Sequence, residues 1–202
     1  MQKLPAKLIS WLFHPLIIPF VGAALVLLSG HYLVFFSTKL VSSILLIFFA
    51  FTFALPVLLF PLLYYQRLIP DLSLRYTPKR RYVYLIVLII YTISAFLMHY
   101  VEFPQLLRQL MLAYAFLTAG MILLSYFVRI SVHTAGVASF TALAFALIMR
   151  YGMDLHLMFL AGVVLSGFIG SSRLALNYHK PWEVYLGFVY GFAGMLLIML
   201  TL

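Results

Sequence analysis

The stretch that decides the fold is residues 40–65, which read LVSSILLIFFAFTFALPVLLFPLLYY. It contains no charged residue, and it is longer than the roughly 20 apolar residues that a helix needs to cross the hydrocarbon core of a bilayer. A surface helix of a soluble protein would carry a continuous polar stripe, which this stretch lacks. The pattern therefore predicts a membrane-spanning helix.

Similar apolar stretches follow one another along the chain. Because lipid satisfies no backbone polar groups, apolar spans of this length fold as helices. The predicted fold class is all-α, a polytopic transmembrane bundle of about six to seven helices that forms one integral membrane domain over residues 1–202. In the last span, Gly187 and Gly191 form a G-xxx-G pair, which predicts close packing against another helix. The predicted spans are roughly residues 8–29, 38–65, 82–101, 107–128, 134–151, 155–177 and 181–201.

The composition excludes a soluble globular protein and several kinds of site. Of the 202 residues, 66% are hydrophobic and 8% are charged, which leaves too little polar surface for a water-soluble domain. Cysteine is absent, so a disulfide framework and a thiolate metal site are excluded. There are 13 Lys and Arg residues against 4 Asp and Glu, a net charge of +9. Since the cations flank apolar spans, we expect membrane anchoring or anion binding, with no nucleic acid as partner.

The polar segments of the chain are predicted to meet on one face of the membrane. They are residues 66–81, 129–133 and 173–183, and they follow the second, fourth and sixth spans. An even number of crossings returns the chain to the side on which it began, so we expect the three segments to lie together. His14, in the proline-rich first span, falls near the same face and is a candidate to line a cavity there.

The third segment holds a possible nucleophile. His179 and Glu183 are four residues apart across Pro181, which suits the first turn of a helix, so they share one helix face. A carboxylate there accepts the Nδ1–H of the imidazole and leaves Nε2 as a nucleophile or base. Arg173 would offer its planar donor fork to a phosphate in the same pocket. The alternative is that these side chains only reach toward water at the interface.

The second segment places Ser131 and His133 at the start of the fifth span. A helix N-terminus attracts phosphate through its free N–H groups. Ser131 is either the N-cap of this helix or an anion ligand. His133 is either a proton donor to a leaving oxygen or an ordinary interfacial histidine.

The first segment is a cation cluster, and its alternative role is a positive-inside anchor. It contains Arg67, Arg75, Lys79, Arg80 and Arg81 with a single acid, Asp71.

Taken together, these segments resemble the motifs of the type-2 phosphatidic acid phosphatase superfamily, which also includes the vanadium haloperoxidases. The third motif of that family is S-R-x5-H-x3-D. Here Ser172, Arg173 and His179 match it in identity and spacing, and Glu183 replaces the aspartate. The motif-bearing core covers about residues 67–195.

The other two motifs of the family match in part. The second is P-S-G-H, and the chain reads ISVH at residues 130–133, which keeps the serine and the histidine. The first is K-x6-R-P. Arg81 is the best match to its arginine, but Leu74 stands at the lysine position and Tyr82 at the proline position. Arg75 and Lys79 are the two candidates to replace that lysine.

The resemblance implies a role for each matched residue. His179 would attack phosphorus and carry the phosphoryl group, His133 would act as general acid on the leaving oxygen, and Glu183 would orient His179. No metal ligand set is evident, so no metal and no cofactor is expected. The phosphate-binding candidates are Arg173, Ser131, Arg81, Arg75, Lys79 and Ser172.

The predicted function is a membrane-embedded, metal-independent phosphatase of lipid phosphates or diphosphates, with polyprenyl diphosphate, phosphatidate and phosphatidylglycerol phosphate as candidate substrates. One alternative is a non-catalytic protein that binds or transports lipid phosphates on the same fold. Another is a haloperoxidase with a soluble substrate, which the apolar exterior disfavours. We expect the bacterial cytoplasmic membrane. The excess of cations favours a site facing the cytoplasm, whereas many members of the family work on the outer side.

Overall fold

Within residues 3–29, 36–67 and 80–202, which the computed structural model describes, the chain folds into nine α-helices. A 3₁₀ turn at Pro15–Ile17 joins the first two, and a π-helical turn at Ala50–Ala54 joins the third to the fourth. The helices are α1 Lys3–Leu12, α2 Ile18–Leu28, α3 Thr38–Phe49, α4 Leu55–Tyr65, α5 Arg80–Tyr100, α6 Gln105–Leu124, α7 Val132–Tyr151, α8 His156–Ala175 and α9 Pro181–Thr201.

Seven helical segments of the described chain are long and apolar enough to cross a membrane, which confirms the predicted all-α bundle. The chain is therefore an integral membrane protein. The spans begin and end within a few residues of the predicted bounds, except that the first begins earlier. They are Leu4–Leu28, Thr38–Tyr65, Arg80–Tyr100, Gln105–Leu124, Val132–Tyr151, His156–Ala175 and Pro181–Thr201.

The first span is broken in two at Pro15, where the proline content of the span predicts a bend. α1 ends at Leu12, and His14 has extended backbone angles (φ −64°, ψ 134°). A residue that precedes proline is driven out of the helical region by the proline ring, and Pro15 has this effect on His14. The imidazole then caps the following turn, since its Nδ1 accepts the Leu16 N–H at 3.4 Å. His14 therefore belongs to neither α1 nor α2.

The second span also departs from a regular helix, at Pro56. Proline has no N–H to donate to the carbonyl four residues earlier, which here belongs to Thr52. The chain responds with the π-helical turn that precedes α4, and the hydroxyl of Tyr91 in α5 donates to the Thr52 carbonyl at 3.4 Å. Thr52 is fully buried, so this bond ties α5 to the π-helical turn inside the bundle.

The central helix is α7, which packs most extensively against α9 and α8. A methyl group added at Gly191 of α9 would overlap the backbone carbonyl of Ala135 in α7, and one added at Gly187 would lie 2.6 Å from the Ser131 carbonyl oxygen. The predicted packing role of the glycine pair is therefore confirmed. The close approach also allows the Ser131 N–H to donate to the carbonyl of Glu183 at 3.1 Å, which ties the start of α7 to the first turn of α9.

We predict that Gly191→Ala destabilises the protein, because the added methyl group has no room between α7 and α9. The expected loss is about 1–3 kcal/mol of unfolding free energy, as for other overpacked helix contacts. The measurement is the thermal unfolding temperature of the purified protein in detergent micelles.

The matched control is Gly167→Ala in α8, where a methyl group meets nothing within 4 Å. We expect this variant to be at least as stable as the wild type, since alanine favours a helix over glycine by roughly 0.5–1 kcal/mol. An equal loss of stability in both variants would contradict the close contact at Gly191.

Candidate active site

Described residues from each of the three polar segments line one cavity of about 450 Å³ inside the bundle. Arg80 lies at the start of α5, Arg129 and His133 lie around the start of α7, and Arg173 and His179 flank the connection from α8 to α9. All five line this cavity, so these residues of the three segments meet as predicted. The cavity continues inward along apolar and hydroxyl-bearing walls formed by Phe60, Val87, Tyr91, Tyr114, Leu117, Ser139 and Tyr190.

His179 and Glu183 form the pair that their spacing predicts. His179 Nδ1 and Glu183 Oε2 are 2.7 Å apart, and the two side chains are only 6% and 8% exposed. The same carboxylate oxygen accepts the Lys180 N–H at 3.1 Å as part of a capping box at the start of α9. Since Glu183 is fixed by the helix cap, it holds the imidazole ring with Nδ1–H as donor and Nε2 as the nitrogen with a lone pair.

The environment keeps His179 neutral at ordinary pH. Burial lowers the pKa of His179 below the usual 6.5, and the nearby guanidinium groups of Arg173 and Arg80 lower it further, whereas the hydrogen bond and charge of Glu183 raise it. The net shift is downward. As the pH falls, His179 is therefore protonated in the unfolded chain before it is protonated in the folded protein. The free energy of unfolding then decreases as the pH falls below about 6.5.

Arg173 is anchored from α1. Its Nη1 donates to the hydroxyl of Ser10 at 2.7 Å, and its guanidinium group lies over the ring of Tyr178, 4.6 Å from the ring centroid. The guanidinium group also lies close enough to His14, His133 and His179 to interact electrostatically with all three. Arg173 is thus the charge that the histidines of the cavity share.

His133 occupies the first turn of α7 and faces α1. Its ring lies near the backbone of Ser10. The ring of His14 stands beside it at 5.8 Å between centroids and 77° between planes. Ser10 therefore lies beside His133 and accepts a hydrogen bond from Arg173 through its hydroxyl.

Further cations surround the same space. Arg80 donates to the hydroxyl of Tyr84 and, at 3.5 Å, to the Ile130 carbonyl. Arg129 donates to the Tyr178 carbonyl at 3.1 Å, and Lys7 reaches the cavity from α1. No acidic side chain is among the described residues that line the cavity. The arrangement is therefore suited to an anion with several negative oxygens.

Three predicted phosphate ligands do not line the cavity. Ser131 is the N-cap of α7, where its hydroxyl accepts the Thr134 N–H, so of its two predicted roles the structure shows the cap. Ser172 donates to the Phe168 carbonyl at 2.8 Å, one turn back in α8. Arg81 donates to Ser125 at 2.9 and 3.1 Å, at the end of α6.

The physical reason is the phase of each helix. Successive residues of a helix point about 100° apart, so only one of two neighbours can face the cavity. Arg173 faces it and Ser172 does not, and Arg80 faces it where the motif match favoured Arg81. The other two predicted ligands, Arg75 and Lys79, lie outside the described residues.

The site also extends beyond the predicted core of residues 67–195, because α1 and the turn after it contribute side chains. Lys7, Ser10, Trp11 and His14 all line the cavity. Their spacing of three, four and seven residues is typical of one helix face, and this is the signal that identifies them in the sequence. Within the described chain, no three His, Asp or Glu side chains are grouped so that they would hold a metal ion.

Comparisons with protein families, curated proteins and solved structures find no match to this chain. The geometry of the cavity defines the chemistry that it can carry out. That geometry consists of a buried histidine–carboxylate pair, a second histidine on the neighbouring helix, and a ring of cations.

We predict that the His179 ring titrates below 6.5 in the folded protein and that Glu183→Gln lowers its pKa further. The carboxylate stabilises the imidazolium, so removing its charge favours the neutral ring. The measurement is a ¹⁵N NMR titration of the histidine ring nitrogens in detergent micelles, with His179 assigned by substitution.

The matched control is Glu102→Gln, which removes an exposed carboxylate from the connection between α5 and α6. We expect no change at His179 in this variant. A wild-type pKa above 6.5, or an increase in Glu183→Gln, would contradict the described environment.

Proposed function

We propose that the protein is a metal-independent phosphatase of lipid phosphates and that His179 is its nucleophile. The observation that carries this proposal is the buried His179–Glu183 hydrogen bond at the edge of a cavity lined by cations. A neutral imidazole with Nδ1–H on a carboxylate presents Nε2 as a nucleophile, which is how an enzyme activates histidine for covalent catalysis. The cations would stabilise the charge on the equatorial phosphoryl oxygens during transfer.

In the first step, the lone pair on His179 Nε2 attacks phosphorus and the bond from phosphorus to the lipid oxygen breaks. The electron pair of that bond leaves with the lipid oxygen, which takes a proton from the imidazolium form of His133. The products are a lipid alcohol, or a lipid monophosphate where the substrate is a diphosphate, and a phosphoryl group bound to His179. Glu183 stabilises the positive charge that develops on the attacking ring.

In the second step, water attacks the phosphorus atom of the phosphohistidine. His133, neutral after the first step, takes a proton from that water, and the bond from phosphorus to Nε2 breaks with its electron pair returning to His179. Inorganic phosphate leaves, and both histidines regain their starting protonation states. Arg80, Arg129 and Arg173 would hold the phosphoryl oxygens through both steps, because all three line the cavity.

A lipid substrate suits the walls of the cavity. Beyond the cations, the lining passes to Phe60 of α4, Val87 of α5 and Leu117 of α6, which are apolar side chains within the membrane-spanning helices. A lipid tail that lies against such a wall gains about 0.8 kcal/mol for each buried methylene group. The excess of Lys and Arg in the three polar segments favours a site on the cytoplasmic side of a bacterial cytoplasmic membrane.

A second candidate function is non-catalytic binding or transport of lipid phosphates. The observation that favours it is that Ser131, Ser172 and Arg81, which the family resemblance assigns to phosphate, make structural hydrogen bonds instead. A cavity that keeps the cations but lacks those ligands still binds an anion. Turnover distinguishes the two candidates, since only the phosphatase releases inorganic phosphate.

We predict that the purified protein in detergent or liposomes releases phosphate from phosphatidate, phosphatidylglycerol phosphate or polyprenyl diphosphate, and does so in EDTA. His179→Ala should lower kcat by about 1,000-fold or more, because it removes the group that forms the covalent intermediate. A phosphohistidine should be trapped on the wild type by rapid quenching at alkaline pH.

His156→Ala is the control, since the His156 side chain is 75% exposed at the start of α8, at the opposite end of the helix from Arg173. It should retain wild-type activity. Turnover that persists in His179→Ala would contradict the mechanism, and lipid binding without turnover in the wild type would favour the second candidate.

The neighbouring arginines of α5 give a second prediction. Arg80 lines the cavity and Arg81 donates to Ser125 outside it. Arg80→Gln should therefore lower kcat/KM by about 100-fold, the usual cost of losing one donor to a transferring group, with Arg81→Gln within about threefold of the wild type. The measurement is steady-state phosphate release by each variant, and a larger effect for Arg81→Gln would contradict the described orientation.

A further inference from the structure

His14 lines the cavity without belonging to any of the three motif segments. It lies in the turn between α1 and α2, where the helical ladder is interrupted before Pro15. Its ring stands 5.8 Å from that of His133, and its electrostatic neighbour is Arg173. His14 therefore shares a cavity with the proposed nucleophile and the cations.

The hydrogen bond at Nδ1 fixes which ring nitrogen of His14 carries the proton. The Leu16 N–H donates to Nδ1 at 3.4 Å, so Nδ1 bears a lone pair. A neutral imidazole has one protonated nitrogen and one with a lone pair, so the proton of His14 is on Nε2. His14 is therefore a hydrogen-bond donor to the cavity while it carries no charge.

The protonated Nε2 of His14 matches the chemistry of a phosphoryl group. A phosphoryl group in the cavity presents acceptors alone once it is fully ionised, so it needs the N–H.

We propose that His14 is a substrate-contacting residue, and that its Nε2–H donates a hydrogen bond to a nonbridging oxygen of the bound phosphoryl group. This inference rests on the proposed function, and it adds a donor from the first span to a site that the motifs place in residues 67–195. His14 would act as a neutral donor beside the charged Arg173, and His133 would remain the group that transfers protons. The ligand class is a phosphate ester or another tetrahedral oxyanion.

Two substitutions separate the proposed contact from the capping role. Asparagine is a good cap whose side-chain oxygen accepts the N–H two residues on, so His14→Asn keeps the bond to Leu16 and removes the donor at Nε2. Glutamine is longer, and its amide nitrogen reaches the position of Nε2, so His14→Gln keeps the donor. We expect kcat/KM for lipid phosphate hydrolysis to fall about 100-fold in His14→Asn and to recover at least tenfold in His14→Gln.

Binding of vanadate, a tetrahedral oxyanion like phosphate, provides a readout that does not require turnover. Trp11 lines the cavity and Trp182 does not, so the fluorescence of a Trp182→Phe background reports on the cavity. We expect the vanadate affinity to fall at least tenfold in His14→Asn and to recover in His14→Gln. His156→Asn, at an exposed position outside the cavity, should change neither vanadate affinity nor turnover.

The outcomes distinguish this inference from the proposed function. If the wild type turns over lipid phosphates and His14→Asn stays within threefold of it, the role of His14 is overturned and the phosphatase proposal stands. If the wild type releases no phosphate from any tested lipid, the phosphatase proposal fails. The vanadate affinity then tests by itself whether His14 is an anion ligand. A tenfold weaker affinity in His14→Asn then supports His14 as an anion ligand, and an unchanged affinity overturns it.

Discussion

The constraint on which the structure depends is that a polar group in hydrocarbon must find its partner within the protein. Helices satisfy the backbone, and where Pro56 interrupts one of them the hydroxyl of Tyr91 donates to the Thr52 carbonyl. The same constraint acts more strongly on charge. Arg80 and Arg129 line the cavity and donate to a hydroxyl and to carbonyl groups, which bear no charge. The described lining contains no carboxylate. A bound anion would therefore supply the opposite charge that the partly buried guanidinium group of Arg80 lacks there.

The chemistry of the cavity follows from the packing of two helices. Glycine at position 191 lets the backbones of α7 and α9 approach so closely that no side chain fits between them. At that separation the Ser131 N–H donates to the Glu183 carbonyl, and the first turns of the two helices are fixed against each other. His133 belongs to one of these turns, and Glu183, which holds His179, belongs to the other. A packing motif of membrane helices thus sets the relative position of both histidines.

The sequence predicts the spans well because their length and apolar character are properties of a single segment. It also predicts the His179–Glu183 contact, because residues four apart on a helix are neighbours. It does not predict which of two neighbouring residues of a helix faces the cavity. The motif match favours Arg81, whereas Arg80 lines the cavity in the structure. It also misses the contribution of Ser10, because a contact between α1 and Arg173 joins residues far apart in the chain.

Two serines of the motifs do not line the cavity, and two polar residues outside the motifs do. Ser131 caps α7 and Ser172 donates to a carbonyl of α8, and neither lines the cavity. Ser10 and His14 bring polar groups to it from the first span. A phosphoryl group requires a set of donors around its oxygens, and chemistry does not require that they come from particular segments. The proposed mechanism depends most on a nucleophile and a carboxylate that orients it, and the 2.7 Å bond between His179 and Glu183 would supply that pair. A site that retained only binding would need the cations but not this buried hydrogen bond, and for that reason we favour catalysis.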